Sequence, residues 1–197
     1  VTPLQAALLA QRAYVDAPTV GFADSAARMH AYAVEGGVAH AFRGTDDFRS
    51  MVADVDCRAE DVWGLGKLHA GFFGALATIL PACLALPRPV AVVGHSLGAA
   101  MAVIYAGVLA KLGHVVSVYA FEPPRLCADD VLAGLLRAAQ VPLYATRNGN
   151  DIVTQLPVNL MLPCDLTAIG RASLPLPNVT DHGIDRVIHS LLVAGGP

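Results

Sequence analysis

The segment from Pro89 to Leu112 constrains the fold more than any other part of the chain. Pro89-Val90-Ala91-Val92-Val93 is a short β-branched run without polar alternation, the pattern of a strand covered on both faces. Gly94-His95-Ser96-Leu97-Gly98 follows it, and Ala99–Leu112 reads as a long helix. Its opening, Ala99-Ala100-Met101-Ala102, is mostly small, so the helix can lie close to a sheet. A buried strand feeding a buried helix through a glycine-flanked turn points to a sheet with helices packed on it.

The remaining segments repeat that alternation. Pro3–Tyr14 reads as a helix with Thr2 as its cap, Pro3 at N1, and Leu4, Leu8, Leu9 and Ala13 at helical spacing. Val38–Phe42, Val115–Phe121 and Pro142–Arg147 read as apolar strands. His69–Ala85, Leu132–Ala139 and Asp181–Val193 read as helices, as does Asp47–Val55, which places Phe48, Met51, Val52 and Val55 on one face. Strands that are apolar on both sides and alternate with helices imply a mostly parallel sheet. The 197 residues, 55% of them apolar, suit one domain with one sizeable core, residues 1–197.

Charge narrows the function. Charged residues are 15% of the chain, the net charge is −3, and no block of basic residues is present, so a nucleic-acid partner is not expected. The longest apolar run, Ala99–Ala110, is short of the roughly 20 residues that span a bilayer, so no transmembrane segment is expected. Val1–Gln11 has no basic region ahead of its apolar stretch, as a signal peptide would. The expectation is a soluble protein, either cytoplasmic or exported with a leader already removed. Cys57, Cys83, Cys127 and Cys164 are widely spaced without a CxxC pair, which argues against a zinc site and fits buried thiols; their even number also fits disulfides in an exported protein.

Gly94–Gly98 has the G-x-S-x-G pattern in which a serine sits on a sharp strand-to-helix turn, its hydroxyl exposed for attack on a carbonyl. Ser96 is therefore the candidate nucleophile, and the N–H of Leu97, opening the helix, can bond a developing oxyanion. Such a serine needs a histidine to take its proton and a carboxylate to orient that histidine. After Ser96 come His114, His182 and His189. His114 closes the elbow helix and points away from its start, and His189 lies inside the last helix. His182 is favoured, because Asn178-Val179-Thr180-Asp181-His182 is a loop that lets the ring reach across the strand ends. For the acid, Asp151 follows the strand Pro142–Arg147 through Asn148-Gly149-Asn150, at the sheet edge where function gathers in such folds. Glu122, at the end of the preceding strand, is its rival.

Together these pieces resemble the class 3 lipases, the fungal lipase-like family. Phe42-Arg43-Gly44-Thr45 is similar to its F-R-G-[ST] motif, and Asp46–Val55 to its lid region. Leu68-His69-Ala70-Gly71-Phe72 is similar to its V-H-x-G-F stretch, Gly94–Gly98 to its elbow, and Asn148–Val153 to its N-x-x-D-x-V acid segment. His182 opens a terminal helix as the family's histidine does. The resemblance implies an α/β-hydrolase fold, a mostly parallel central sheet flanked by helices. It implies Ser96, Asp151 and His182 as a catalytic triad and Thr45 and Leu97 as oxyanion donors; the stripe of Phe48, Met51, Val52 and Val55 reads either as the apolar face of a lid or as a helix face packed on the core. It implies an ester or lipid substrate, transient contact with a lipid surface, and no metal or organic cofactor. The chain departs from the family in Glu122, where F-G-x-P-R has glycine, and in Thr154, where proline usually follows the acid segment. Glu122 is thus expected as an accessory group near the site. The chain is also shorter than the secreted fungal members, so its acyl and leaving-group pockets are expected to be differently walled.

Overall fold

The computed structural model describes residues 1–22, 24–25, 27–45 and 58–195. Its centre is a six-stranded sheet in the order β1-β2-β5-β6-β7-β8. β1 (Met29–Val34) pairs antiparallel with β2 (Gly37–Phe42), and β5 (Ala91–His95), β6 (Ser117–Phe121), β7 (Leu143–Asn148) and β8 (Thr167–Ile169) continue it in parallel. A separate hairpin pairs β3 (Ala59–Val62) with β4 (Gly66–His69).

Helices cover both faces, and the strands show why the apolar runs lack polar alternation. Val92 of β5 and Val118 and Ala120 of β6 enter one core, shared with α2 (Ala70–Ala85), α3 (Leu97–Lys111) and α4 (Val131–Ala138). Their neighbours Ala91, Val93, Tyr119 and Phe121 enter the other, under α1 (Pro3–Arg12) and α5 (Ile184–Ala194). Successive strand residues point to opposite faces, so a two-sided core needs an apolar residue at every position.

α1 has the expected Thr2 cap, strengthened by Gln5, whose side chain accepts from the Thr2 N–H while Thr2 Oγ1 accepts from the Gln5 N–H. Its buried face differs from the expected leucine stripe. Ala6, Ala7, Leu9, Ala10 and Ala13 are buried, while Leu8 is exposed. The facing strands present Ala39, Ala41 and Ala91, so small residues on both sides bring the helix close to the sheet.

The expected strands at 38–42, 89–93, 115–121 and 142–147 are present within a few residues of those bounds. β1, β3, β4 and β8 were not anticipated. β3 reads Ala-Glu-Asp-Val, with three exposed residues, and β8 is three residues long, so neither carries an apolar pattern. The last helix starts at Ile184 rather than Asp181, which leaves Asp181 and His182 in the turn before it. The expected helix Asp47–Val55, with Phe48, Met51, Val52 and Val55, lies outside the described residues, as does Cys57. Cys83, Cys127 and Cys164 are free thiols, burial pushing the first two up to about 12 and the third, joined by the Asp165 charge, to about 11. Among the described residues, no helix is long and apolar enough to cross a membrane.

Candidate active site

The chain turns at Ser96 between β5 and α3. Ser96 has φ 57° and ψ −127°, left-handed for a residue with a side chain. The turn closes only because its flanks are glycines. A Cβ on Gly94 would lie 2.1 Å from the Gly98 carbonyl oxygen, and one on Gly98 would lie 2.2 Å from the Phe42 carbonyl oxygen at the end of β2. The Ser96 N–H donates to the Phe121 carbonyl (3.0 Å), which ties the turn to β6. Ser96 Oγ is buried and makes no hydrogen bond to any described residue. Leu97 is the first residue of α3, where a backbone N–H has no intrahelical acceptor. Thr45 follows the end of β2, beside Gly44, whose α-carbon packs against the Tyr14 hydroxyl and the His95 carbonyl.

The sheet edge brings two sequence-distant loops together. His182 Nδ1 lies 2.8 Å from Asp151 Oδ2, with Asp151 fully buried. Asp151 Oδ1 accepts from the Val153 N–H (2.9 Å), and the Asp151 carbonyl accepts from Thr154 Oγ1 (3.1 Å). Thr154 thus secures the backbone of the acid loop through its hydroxyl, which a proline could not do. The loops are also stitched directly: the Ile152 N–H donates to the Asn178 carbonyl (3.1 Å) and the Asn178 N–H to the Asn150 carbonyl (3.3 Å).

Asp181, the residue before the histidine, anchors that stitching. Its Oδ2 accepts from the N–H groups of Asn150 (3.0 Å) and Ser173 (2.9 Å) and from Asn178 Nδ2 (3.1 Å), and Arg186 approaches Oδ1 at 3.4 Å. Burial alone raises its carboxyl. The Asn150 and Ser173 backbone donors and the Ser173 and Asn178 side chains outweigh burial and hold it well below the usual carboxylate range. In sequence Asp181 carries no signal of this role, because an aspartate in a turn is ordinarily a turn former.

Glu122 lies beside the same histidine. It is fully buried, its Oε2 stands 3.0 Å from His95 Nε2 and 3.6 Å from His182 Nδ1, and its φ is 53°. Of the two rival carboxylates, Asp151 is therefore the one at hydrogen-bonding distance from His182, and Glu122 the one beside it. His95 Nδ1 is hydrogen-bonded to the Tyr14 hydroxyl (2.7 Å). Burial lowers His95 to about 4, against the pull of the Asp151 and Asp185 charges, so its ring is neutral. Burial raises Glu122 well above the usual carboxylate range; the His182 side opposes this and the Asp151 charge adds to it. His95, Glu122 and His182 offer ligand-type atoms within 4.8 Å of one another. Glu122 is hydrogen-bonded to His95 and His182 to Asp151, and the 3.6 Å approach of Glu122 to His182 joins the two buried pairs. His95 was visible in the sequence only as the variable position of the turn motif, and Tyr14 as the end of α1.

His114 and His189 lie apart from these groups: His114 Nε2 is hydrogen-bonded to the Pro89 carbonyl (2.8 Å), and His189 is inside α5. His69 caps α2, its Nδ1 accepting from the Gly71 and Phe72 N–H groups. Asp129 serves as a loop tie, accepting from the N–H groups of Lys67 and Val131.

The profile of the lipase (class 3) family matches residues 39–161, well over half of the chain. That span contains Thr45, Ser96, Leu97, Glu122 and Asp151 and ends before His182. Among solved structures, the chain is similar to the lipase from Rhizopus microsporus var. chinensis, at 19% identity and TM-score 0.73 over 91% of this chain and 84% of that one. It is similar to the Rhizomucor miehei triacylglyceride lipase, at 19% identity and TM-score 0.69 over 91% and 90%. It is also similar to the MDLA N225Q mutant from Penicillium cyclopium, at 20% identity and TM-score 0.65 over 92% and 82%. At these identities the likeness is one of fold, and that fold is the α/β-hydrolase fold. No curated protein sequence matches the chain at a significant level.

Proposed function

Because the chain belongs to the class 3 lipase family and is a carboxylic ester hydrolase, we propose that it cleaves lipid esters through an acyl-enzyme on Ser96, with His182 as general base and Asp151 as its orienting carboxylate. The observation that carries this reading is the 2.8 Å pair of His182 Nδ1 and Asp151 Oδ2, in a chain whose elbow serine is held in a strained turn. Asp151 fixes the tautomer in which Nδ1 carries the proton, leaving Nε2 as the base.

Ser96 Oγ attacks the ester carbonyl carbon as its proton passes to His182 Nε2. The Leu97 N–H, joined by Thr45, bonds the carbonyl oxygen as it becomes an oxyanion. The tetrahedral species collapses, the ester C–O bond breaks, and His182 returns its proton to the departing alcohol. Water then attacks the acyl-enzyme by the same route, giving the carboxylic acid and restoring the Ser96 hydroxyl. No step calls on a metal or an organic cofactor.

An apolar acyl group is favoured as substrate by the two loops that supply the acid and the base. Val158 and Met161, after Asp151, and Leu174, Leu176 and Val179, before His182, are exposed apolar side chains. Exposed apolar side chains on these loops suit transient contact with a lipid surface. The test is a series of nitrophenyl, glyceride and phospholipid esters of increasing acyl length. A stoichiometric burst of nitrophenolate with acylated Ser96, and a kcat/KM that rises with acyl length on glycerides, is expected. A rate that falls from the shortest ester onward points to a small-ester carboxylesterase, and a preference for the phospholipid to a phospholipase A1.

A further inference from the structure

Glu122 is the buried group that this mechanism leaves unused. It has no solvent exposure, it is a side chain in a backbone region that favours glycine, and its carboxyl stands between two histidines. A residue under both desolvation and backbone strain persists where the surroundings hold it. Polar or titratable groups reach it or its histidine partners from several elements. His95 comes from the end of β5, with Tyr14 behind it after α1; His182 from the turn before α5; Asp151 from the loop after β7; and Asp185, on α5, adds a charge felt at His95. Two carboxyl groups thus face one imidazole nitrogen, Asp151 at 2.8 Å and Glu122 at 3.6 Å. A second negative charge near Asp151, away from water, is disfavoured. Asp151 has the Val153 N–H to stabilise a negative charge; at Glu122 the backbone N–H groups of Asn148 and Gly183 work in the same sense, but burial outweighs them.

Resting on the assignment of Ser96, His182 and Asp151 as the triad, we propose that Glu122 is a positioning residue held as a neutral carboxylic acid, its O–H donating to His95 Nε2, so that Asp151 is the only carboxylate competing for the His182 Nδ1 proton. His95 passes the polarity on, its Nδ1–H donating to the Tyr14 oxygen. Ionisation of Glu122 places a second negative charge 3.6 Å from Nδ1. That charge competes with Asp151 for the Nδ1–H and draws the ring off its Asp151 alignment, so Nε2 no longer faces the Ser96 proton. The direction in which burial drives Glu122, well above the usual range, agrees with a neutral acid at the pH of catalysis.

The test compares the wild-type protein with Glu122→Gln, which keeps the shape and a donor for His95 but cannot ionise. In the infrared, the wild type shows the carbonyl stretch of a protonated carboxylic acid at neutral pH, and Glu122→Gln lacks it. In kcat/KM against pH for a soluble nitrophenyl ester, the wild type falls about tenfold per pH unit on its alkaline limb, in step with loss of the infrared band, while Glu122→Gln stays level. If the variant does not fold, the coincidence of band and limb in the wild type alone decides. Absence of the band at neutral pH, or an alkaline limb unchanged in Glu122→Gln, overturns the proposal. Fluorophosphonate labelling is read in parallel. Proteins labelled at Ser96 with superimposable profiles overturn the role of Glu122 alone; proteins unlabelled at Ser96 overturn the triad and this inference with it.

Discussion

Removing the Asp181 carboxylate tests whether the loop behind His182 is what holds that histidine against Asp151. Asp181→Ala leaves three donors, the N–H groups of Asn150 and Ser173 and Asn178 Nδ2, without their shared acceptor in a buried position. A hydrogen bond to a charged group contributes about 1.5–3 kcal/mol, and bonds to one oxygen do not add fully, so the loss is on the order of 3 kcal/mol. For a domain of this size that lowers Tm by about 6–12 °C. The second consequence is kinetic. The loops carrying Asp151 and His182 meet through Asn150 and Asn178, both bound to Asp181, so their registration loosens and kcat falls by about 10- to 100-fold. Asp181→Asn retains an acceptor oxygen and falls between the wild type and alanine in both readouts. The acid dependence follows from the lowered carboxyl of Asp181. Its stabilisation is complete above the pH at which an unfolded aspartate protonates, near 3.9, and is lost as pH falls from there through the lower folded value. Thermal melts across that window, with ester hydrolysis at neutral pH, are the assay. An Asp181→Ala protein that melts with the wild type and hydrolyses at the same rate refutes the reasoning.

Two further outcomes follow from the same geometry. Asp151→Asn keeps the packing but no longer selects the tautomer with the proton on His182 Nδ1, so kcat falls by roughly 10³–10⁴ with an unchanged melting curve; steady-state kinetics and circular dichroism check it. Gly98→Ala drives a Cβ into the Phe42 carbonyl and forces α3 off the end of β2, costing about 1–3 kcal/mol in overpacking and most of the activity, since Leu97 and Thr45 then separate; a denaturant melt and an ester assay read both.

The sequence disclosed those parts of the fold whose local pattern carries the whole reason for their structure. β5 and α3 are largely apolar because both are covered along most of their length, and the serine turn between them is fixed by two glycines that nothing larger can replace. Asp151 and His182 could be placed because each follows turn residues at a sheet edge. What escaped notice depends on partners distant in the chain. β1 is a strand by virtue of pairing with β2, and β8 by pairing with β7. Asp181 became visible as an anchor only once Asn150 and Ser173 were folded against it. Glu122 was recognised as an unexpected carboxyl, but its place between His95 and His182 depends on β5, β6 and the last turn converging.

The central claim is that Ser96 is the nucleophile, and the most direct measurement is active-site labelling with a fluorophosphonate followed by peptide mapping, on the wild type and on Ser96→Ala. A nucleophilic Ser96 labels stoichiometrically with loss of ester hydrolysis in parallel, and the Ser96→Ala protein melts like the wild type but neither labels nor hydrolyses. Labelling at another residue, or a folded Ser96→Ala protein with undiminished hydrolysis, contradicts it.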